Sequence, residues 1–423
     1  MDVLSWLATG RTGDMRLNSG NSSNYEMQRP PKLGWLGSSQ RRAPQWASKV
    51  IQGSRVMDPY TVDIAACRER QSRLLESIEH LNVDLAILSR HESIQWLTGA
   101  YVRPPFVPLA AISPAGHVTL VLPERQFDQP AAADKLLGYE AKWHSTTRDD
   151  QAAASAEVFR SAISTPPNRF ACELSSCFPH GFFGWIHTGI DITATLFKQR
   201  RRKDPDELRM LRRANDANRA MYERARQIIA PGVRELDVYN ELHKVAVNTL
   251  GEPLTYFGQD FRSGARGGPP RDRPAQAGEL YILDLGVGFR GYHSDNARTL
   301  AVDREPTDEQ IRAWHAVASI FPVIETRIRP GASCRQLFQD IQTELDEYFP
   351  WKFNHHLGHG VGLAPQEGPH LNPRWDDTFA PGDLLAVEPG LYHESLRHGV
   401  RLEQNYLVTE TGVELLTDWP LNL

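Results

Sequence analysis

Residues 280–299 read LYILDLGVGFRGYHSDNART: an apolar run carrying one aspartate, a glycine-rich turn, and a second run opened by another aspartate. The first run reads as a strand and the turn folds the chain back, so Asp284 and Asp295 are placed on paired strands of one hairpin. Two neighbouring carboxylates repel and burial worsens the repulsion, so such a pair needs cations or a shared proton. Taken singly, an aspartate in an apolar strand is more often a structural capping or turn group than a metal ligand.

The text downstream changes that balance. Residues 353–369, FNHHLGHGVGLAPQEGP, set His355, His356 and His359 among glycines, which let backbone and ligand approach closely. In LLAVEPGLY, Glu388 ends an apolar strand just before Pro389-Gly390, and in VRLEQNYLVT, Glu403 stands inside another. Glutamates buried in strands cost too much unless they are paired or bind a metal. Two Asp, two Glu and one His offer four negative charges and a neutral nitrogen, which balance two divalent cations. An oxygen-rich set with one imidazole suits Mn²⁺, Co²⁺, Fe²⁺ or Zn²⁺ and says little about which; the expected cofactor is two divalent ions, with Mn²⁺ taken first. Two such ions can share and ionise a hydroxide and polarise a carbonyl, which is hydrolytic chemistry.

Working outward, residues 1–56 are rich in Gly, Ser, Asn, Arg and Pro without apolar periodicity and read as a flexible N-terminal tail, with Met57 as an alternative start. Residues 57–197 alternate helical and strand-like pieces: a helix over Ile64 to Leu81, apolar runs DLAILS, PLAAISP and HVTLVLPE, a helix near Phe127 to Leu137, a strand near Tyr139 to Trp143, another helix, and RFACEL. That alternation predicts a layered α/β domain. Residues 198–423 form the second domain, opened by a long amphipathic helix whose Asp204, Pro205 and Glu207 make a capping box with proline at the first helical position. A faint repeat, helix then Pro-Gly then helix, recurs around Pro231-Gly232 and Pro330-Gly331 and predicts two related halves with a site between them.

In combination these motifs resemble the pita-bread metallopeptidases, a family (M24) that includes methionine aminopeptidases, Xaa-Pro aminopeptidases, prolidases and the non-metallic creatinases. The resemblance covers roughly residues 60–420 and rests on LDLG, SDNART, HHLGHGVGL, VEPGLY and RLEQN. It implies an α/β (α+β) architecture with a C-terminal pita-bread catalytic domain behind a smaller creatinase-like N-terminal domain. By the same resemblance Asp284 chelates one metal, His359 and Glu388 the other, and Asp295 and Glu403 bridge them. Glu388 doubles as the catalytic group that handles the proton of the attacking water. His355 matches a position lining the substrate pocket, and Arg401 joins the substrate-binding candidates.

Two departures stand out. Where relatives carry HxxP before the LDLG strand, this chain has Arg271 at the His position, and where a second pocket His is usual it has Gln366. Arg271 could grip a substrate carboxylate, and Gln366 can still donate a hydrogen bond to an oxyanion. The function implied is a dinuclear Xaa-Pro aminopeptidase or prolidase-like peptidase. The alternatives are a non-peptidase member acting on another small amide or carboxylated metabolite, and, below it, a non-catalytic peptide-binding module.

Bulk properties exclude other classes. The 423 residues carry a formal charge of −5 with no long run of either sign, which argues against a nucleic-acid partner. No apolar run is long enough to span a membrane and the N-terminus lacks an export signal, so the expected location is the cytoplasm. Cys67, Cys172, Cys177 and Cys334 are scattered without metal or disulfide spacing and read as reduced thiols. The expected partner is a small peptide or similar substrate, and the resemblance implies a homodimer.

Overall fold

Strand Leu280–Phe289 is buried at every residue and organises the second half of the chain. This computed structural model describes residues 58–163, 165–176 and 189–423; the predicted N-terminal tail and Cys177 lie outside them. Antiparallel to Leu280–Phe289 run Asn296–Ala301 on one side and Tyr256–Ser263 on the other, with Tyr292–His293 closing the hairpin. A second antiparallel sheet has the order Glu367–Leu371, Gly358–Gly360, Leu384–Val387, Gln404–Val408, Val413–Leu415.

The capping box predicted at Asp204 and Glu207 forms, and the helix it starts, Pro205–Ile228, runs for 24 residues. Its apolar stripe, Met210, Ala214, Ala217, Met221 and Ala225, lies in one core with Leu283, Leu285 and Val287. Two polar side chains on the helix tie the strand in place: Asn218 donates to the Leu285 carbonyl at 2.7 Å and the Tyr222 hydroxyl to the Leu283 carbonyl at 3.2 Å. Past Gly232 follows the helix Glu235–Leu250. The predicted echo is present as Ile320–Arg327, Gly331 and Cys334–Asp346. Both glycines take positive φ, +93° and +83°, which lets the chain reverse between helices.

Residues 85–191 build a separate six-stranded mixed sheet, ordered Lys135–Tyr139, Val118–Pro123, Leu109–Ile112, Leu85–Leu88, Phe170–Cys172, Gly189–Asp191. Helices Ile64–Ile78 and His91–Thr98 pack on it through Leu74, Ile78, Ile94 and Leu97. The helix expected near Phe127 to Leu137 is not formed. One 3₁₀ turn, Glu124–Gln126, is followed by a loop through Pro130 and then by Lys135–Tyr139, which joins the sheet edge parallel to Val118–Pro123. Proline removes a helix donor and restricts the residue before it, and the sheet edge offers the following residues a ladder of hydrogen bonds. The strand expected over Tyr139 to Trp143 divides at residue 140, and Lys142–Trp143 instead pairs with Thr146–Thr147. The junction predicted near residue 197 falls inside helix Thr193–Arg200. No helix among the described residues is long and apolar enough to cross a membrane.

Candidate metal centre

The two sheets of the second half are sewn together along one seam. Glu403 N donates to the Ala297 carbonyl at 3.0 Å, Asn296 Nδ2 to the Glu403 carbonyl at 3.1 Å, and Asn405 Nδ2 to the Asp295 carbonyl at 2.8 Å. Arg401 N and the Thr299 hydroxyl extend the stitch. Acidic residues more than a hundred positions apart are thereby forced to one point: oxygens of Asp284, Asp295 and Glu403 all lie within 4.8 Å of one another.

His359 and Glu388 close the group from the facing sheet. His359 Nε2 is 3.6 Å from Asp295 Oδ2 and 3.7 Å from Glu388 Oε1. The ring is held by its other nitrogen, Nδ1, which donates to the Gly360 carbonyl at 2.9 Å and so turns Nε2 toward the carboxylates. The glycines foreseen around it are required sterically. A Cβ on Gly358 would stand 2.0 Å from the Ala386 carbonyl oxygen, and one on Gly360 2.1 Å from that of Gly368. All five candidate ligands converge, and each is at most 7% exposed.

Electrostatics follow from this crowding. Burial, with the Glu388 and Asp260 charges adding to it, raises the Asp284 carboxyl to about 6 despite Arg401. Burial and the neighbouring acids push Asp295 and Glu403 well above the usual carboxylate range. Glu388 differs: burial pushes it up, yet the His356 hydrogen bond and charge outweigh that and hold it at about 2. Asp284 Oδ1 is buried without any hydrogen-bond partner. A carboxylate oxygen left bare beside other buried acids is what a cation-binding donor set looks like without its ions, and the residues present fit two divalent metals.

The substrate-side candidates fare variously. The His355 imidazole, pushed down to about 4 by burial, meets the Tyr392 hydroxyl at 2.9 Å. Arg401 lies at the base of the cluster, paired with Asp260 and 3.1 Å from Asp284 Oδ2. Arg271 has its guanidinium engaged by Glu235 at 2.6 Å and by the Ser263 carbonyl at 2.7 Å, three residues along the strand from Asp260. Gln366 is exposed.

Several site residues had no role assigned from the sequence. His356 Nε2 lies 2.7 Å from Glu388 Oε1, Gln259 Nε2 donates to Asp295 Oδ2 at 3.1 Å, and Asp260 stands opposite Asp284 in the strand register. An acid at position 260 in the strand-like text TYFGQDFRS was a weak signal; the register with residue 284 was not readable.

Comparisons with known proteins point the same way. Residues 209–410 match the family model described as Metallopeptidase family M24. Over that segment, just under half of the chain, the sequence is similar to that family. Similar proteins include a Xaa-Pro dipeptidase of Pyrococcus horikoshii, 23% identical over 362 residues that span 82% of this chain and 97% of that one. A probable dipeptidase PepE of Mycobacterium tuberculosis is 29% identical over 241 residues, 55% of this chain and 62% of that one. Among solved structures, the prolidase from P. horikoshii superposes with a TM-score of 0.69 at 21% identity, covering 83% of this chain and 99% of that one. A Xaa-Pro dipeptidase from Bacillus anthracis gives 0.67 at 23% identity, covering 84% and 100%. The fold is the pita-bread fold predicted from the motifs.

Proposed function

We propose that the protein is a dinuclear metal-dependent peptidase that releases the N-terminal residue from Xaa-Pro peptides. The observation that carries this reading is the convergence of Asp284, Asp295, His359, Glu388 and Glu403 at one buried point. Asp284 would hold one ion, His359 and Glu388 the other, with Asp295 and Glu403 shared between them; the donor set accepts Mn²⁺, Co²⁺, Zn²⁺ or Fe²⁺, and we propose Mn²⁺ as the ion. When bound, the pair of ions polarises the scissile carbonyl and acidifies the attacking water.

The chain's own residues supply the rest. Glu388, kept ionised and oriented by His356, accepts the proton of the attacking water and returns it to the leaving amine. Gln259 fixes the Asp295 carboxylate from behind. His355 and Tyr392 present hydrogen-bonding groups to the substrate beside Glu388. The names of the relatives, Xaa-Pro dipeptidase and dipeptidase, support this substrate class. We propose a homodimer on the family resemblance, which light scattering tests directly, and a cytoplasmic location, which cell fractionation tests.

The deciding assay loads purified protein with Mn²⁺ or Co²⁺ and offers Xaa-Pro dipeptides and tripeptides. Release of the N-terminal residue, abolished in Glu388→Ala, is expected; no turnover with any metal rejects the reading. The second reading, a relative acting on another small amide, is favoured by Arg271 and Gln366 at the two usual His positions. It requires metal occupancy without peptidase activity, and gain of peptide turnover in the double variant Arg271→His, Gln366→His.

A further inference from the structure

A cavity of about 250 Å³ lies where helix Pro205–Ile228 and strand Asn296–Ala301 end together, and none of the residues lining it is a candidate metal ligand. Its floor is apolar: Ile229, Leu300 and Ala301 are buried, and Leu423 closes one side. Two guanidiniums, those of half-buried Arg226 and exposed Arg304, supply its charge. At that size it suits a ligand smaller than those of drug-sized sites, which run from roughly 300 to 1,000 Å³.

Both cations lack a counter-charge. Arg271, Arg273 and Arg290 are matched by Glu235, Glu279 and Glu252. Arg226 instead donates to the carbonyls of Asn422 at 2.9 Å and Pro420 at 3.1 Å, and Arg304 to the Arg226 carbonyl at 2.9 Å. Among the described residues no carboxylate pairs with either. Asp303, beside Arg304 in the chain, is engaged by the amides of Gly278 and Glu305. Burial lowers the Arg226 guanidinium below its ordinary range, and no carboxylate raises it back. The negative end of the helix offers about half a charge, too little for two cations. Neutral carbonyls satisfy hydrogen bonds but not charge, and each guanidinium has N–H donors left over. Arg304 also holds φ +63°, a left-handed conformation uncommon away from glycine, so its side chain reaches the cavity against the preference of its backbone.

We propose that this cavity binds a small organic anion, a carboxylate bearing a short aliphatic group. The carboxylate bridges Arg226 and Arg304 through charge-assisted hydrogen bonds, and the aliphatic part lies on Ile229, Leu300 and Leu423. Occupancy joins the end of helix Pro205–Ile228 to the end of the strand that follows Asp295, so binding stabilises the folded chain. The site stands apart from the peptidase reading, and no step of its test depends on turnover.

The test is calorimetric titration and thermal unfolding of the full chain at constant ionic strength, in chelator so that no metal ion holds a carboxylate. The probes are 3-methylbutanoate, its neutral amide and inorganic phosphate. For wild type, 3-methylbutanoate should bind with a Kd of about 0.1 to 1 mM, the scale for a ligand of about seven non-hydrogen atoms. At saturation it should raise the unfolding midpoint by about 2 to 5 °C, and the amide should do neither. Arg304→Gln and Arg226→Gln should each weaken binding by about 10-fold or more, the loss of one charge-assisted contact. Arg219→Gln, whose guanidinium is paired with Glu223 on an exposed face, should leave the Kd unchanged. Should Arg226→Gln fail to fold on releasing the Pro420 and Asn422 carbonyls, Arg304→Gln decides, with Arg226→Lys keeping the charge and most of the affinity. No binding of 3-methylbutanoate, or the same Kd in Arg304→Gln as in wild type, overturns the site. Equal binding of the amide removes charge from the account and overturns it as well. Phosphate bound more tightly than 3-methylbutanoate, and lost in Arg304→Gln, overturns the aliphatic carboxylate as the ligand.

Discussion

Replacing Asp284 by Asn should stabilise the metal-free protein at neutral pH and weaken it once metal is added. In the folded chain burial and the Glu388 and Asp260 charges raise the Asp284 carboxyl from 3.8 to about 6. That rise of about 2 in pKa corresponds to about 3 kcal/mol of stability withheld at pH 8. The sign is set by which state ionises first. Below about pH 4 the carboxyl is protonated folded and unfolded alike, so no penalty exists; as pH climbs toward 6 the unfolded chain ionises first and stability falls; above 6 the loss is complete. Asparagine has nearly the same shape, carries no charge, and its amide can donate to the oxygens of Asp295 or Glu403 that lie within 4.8 Å. The gain has about 3 kcal/mol as its ceiling, because Arg401, 3.1 Å away, loses a partner. Denaturant unfolding followed by far-UV circular dichroism, in chelator, between pH 4.5 and 8, should show the two proteins diverging as pH rises. With Mn²⁺ at about a thousandfold excess over its Kd, binding adds about 4 kcal/mol to wild type, and the order reverses where the variant, lacking one ligand, gains less than about 1 kcal/mol. If Asp284→Asn is the weaker protein in chelator at pH 8, the crowded acids are not a liability and the case for a cation cluster built on their repulsion is refuted.

Arg271→Ala should cost about 2 kcal/mol in denaturant unfolding, since it strips the charged partner from Glu235, which is fully buried; Glu235→Gln in the same background should recover part of that loss, and an additive result would remove the pairing from the account. Thr307→Ala should cost about 1 kcal/mol, because the Thr307 hydroxyl accepts from Gln310 N in the capping box that starts helix Asp308–Ala318; a midpoint unchanged from wild type would show the cap to be idle.

What could be read from the sequence was local or strongly constrained. The start of helix Pro205–Ile228 was legible because Asp204, Pro205 and Glu207 satisfy one another within four residues, with no help from elsewhere. The helix, Pro-Gly, helix repeat was legible for the same reason, each reversal hanging on one glycine of positive φ. The misreading at Phe127 to Leu137 has the opposite cause. Apolar residues there fit a helix as well as a strand, and the deciding partner, Val118–Pro123, offers its edge only in the folded sheet.

The same division runs through the site. The sequence by itself determined which side chains are candidates, because a glutamate, aspartate or histidine set in an apolar strand is too costly to be there without a charge partner. Only the tertiary structure decided which of them meet and which arginines are free to act. The seam between Asp295–Thr299 and Arg401–Asn405 brings Asp295 and Glu403 together across more than a hundred residues. Strand register sets Asp260 opposite Asp284, and Glu235 claims the arginine, Arg271, that the motif had nominated for the substrate. Pairing of this kind is long-range: it depends on how two sheets are stitched, and residue type along one strand carries no record of the strand it will face.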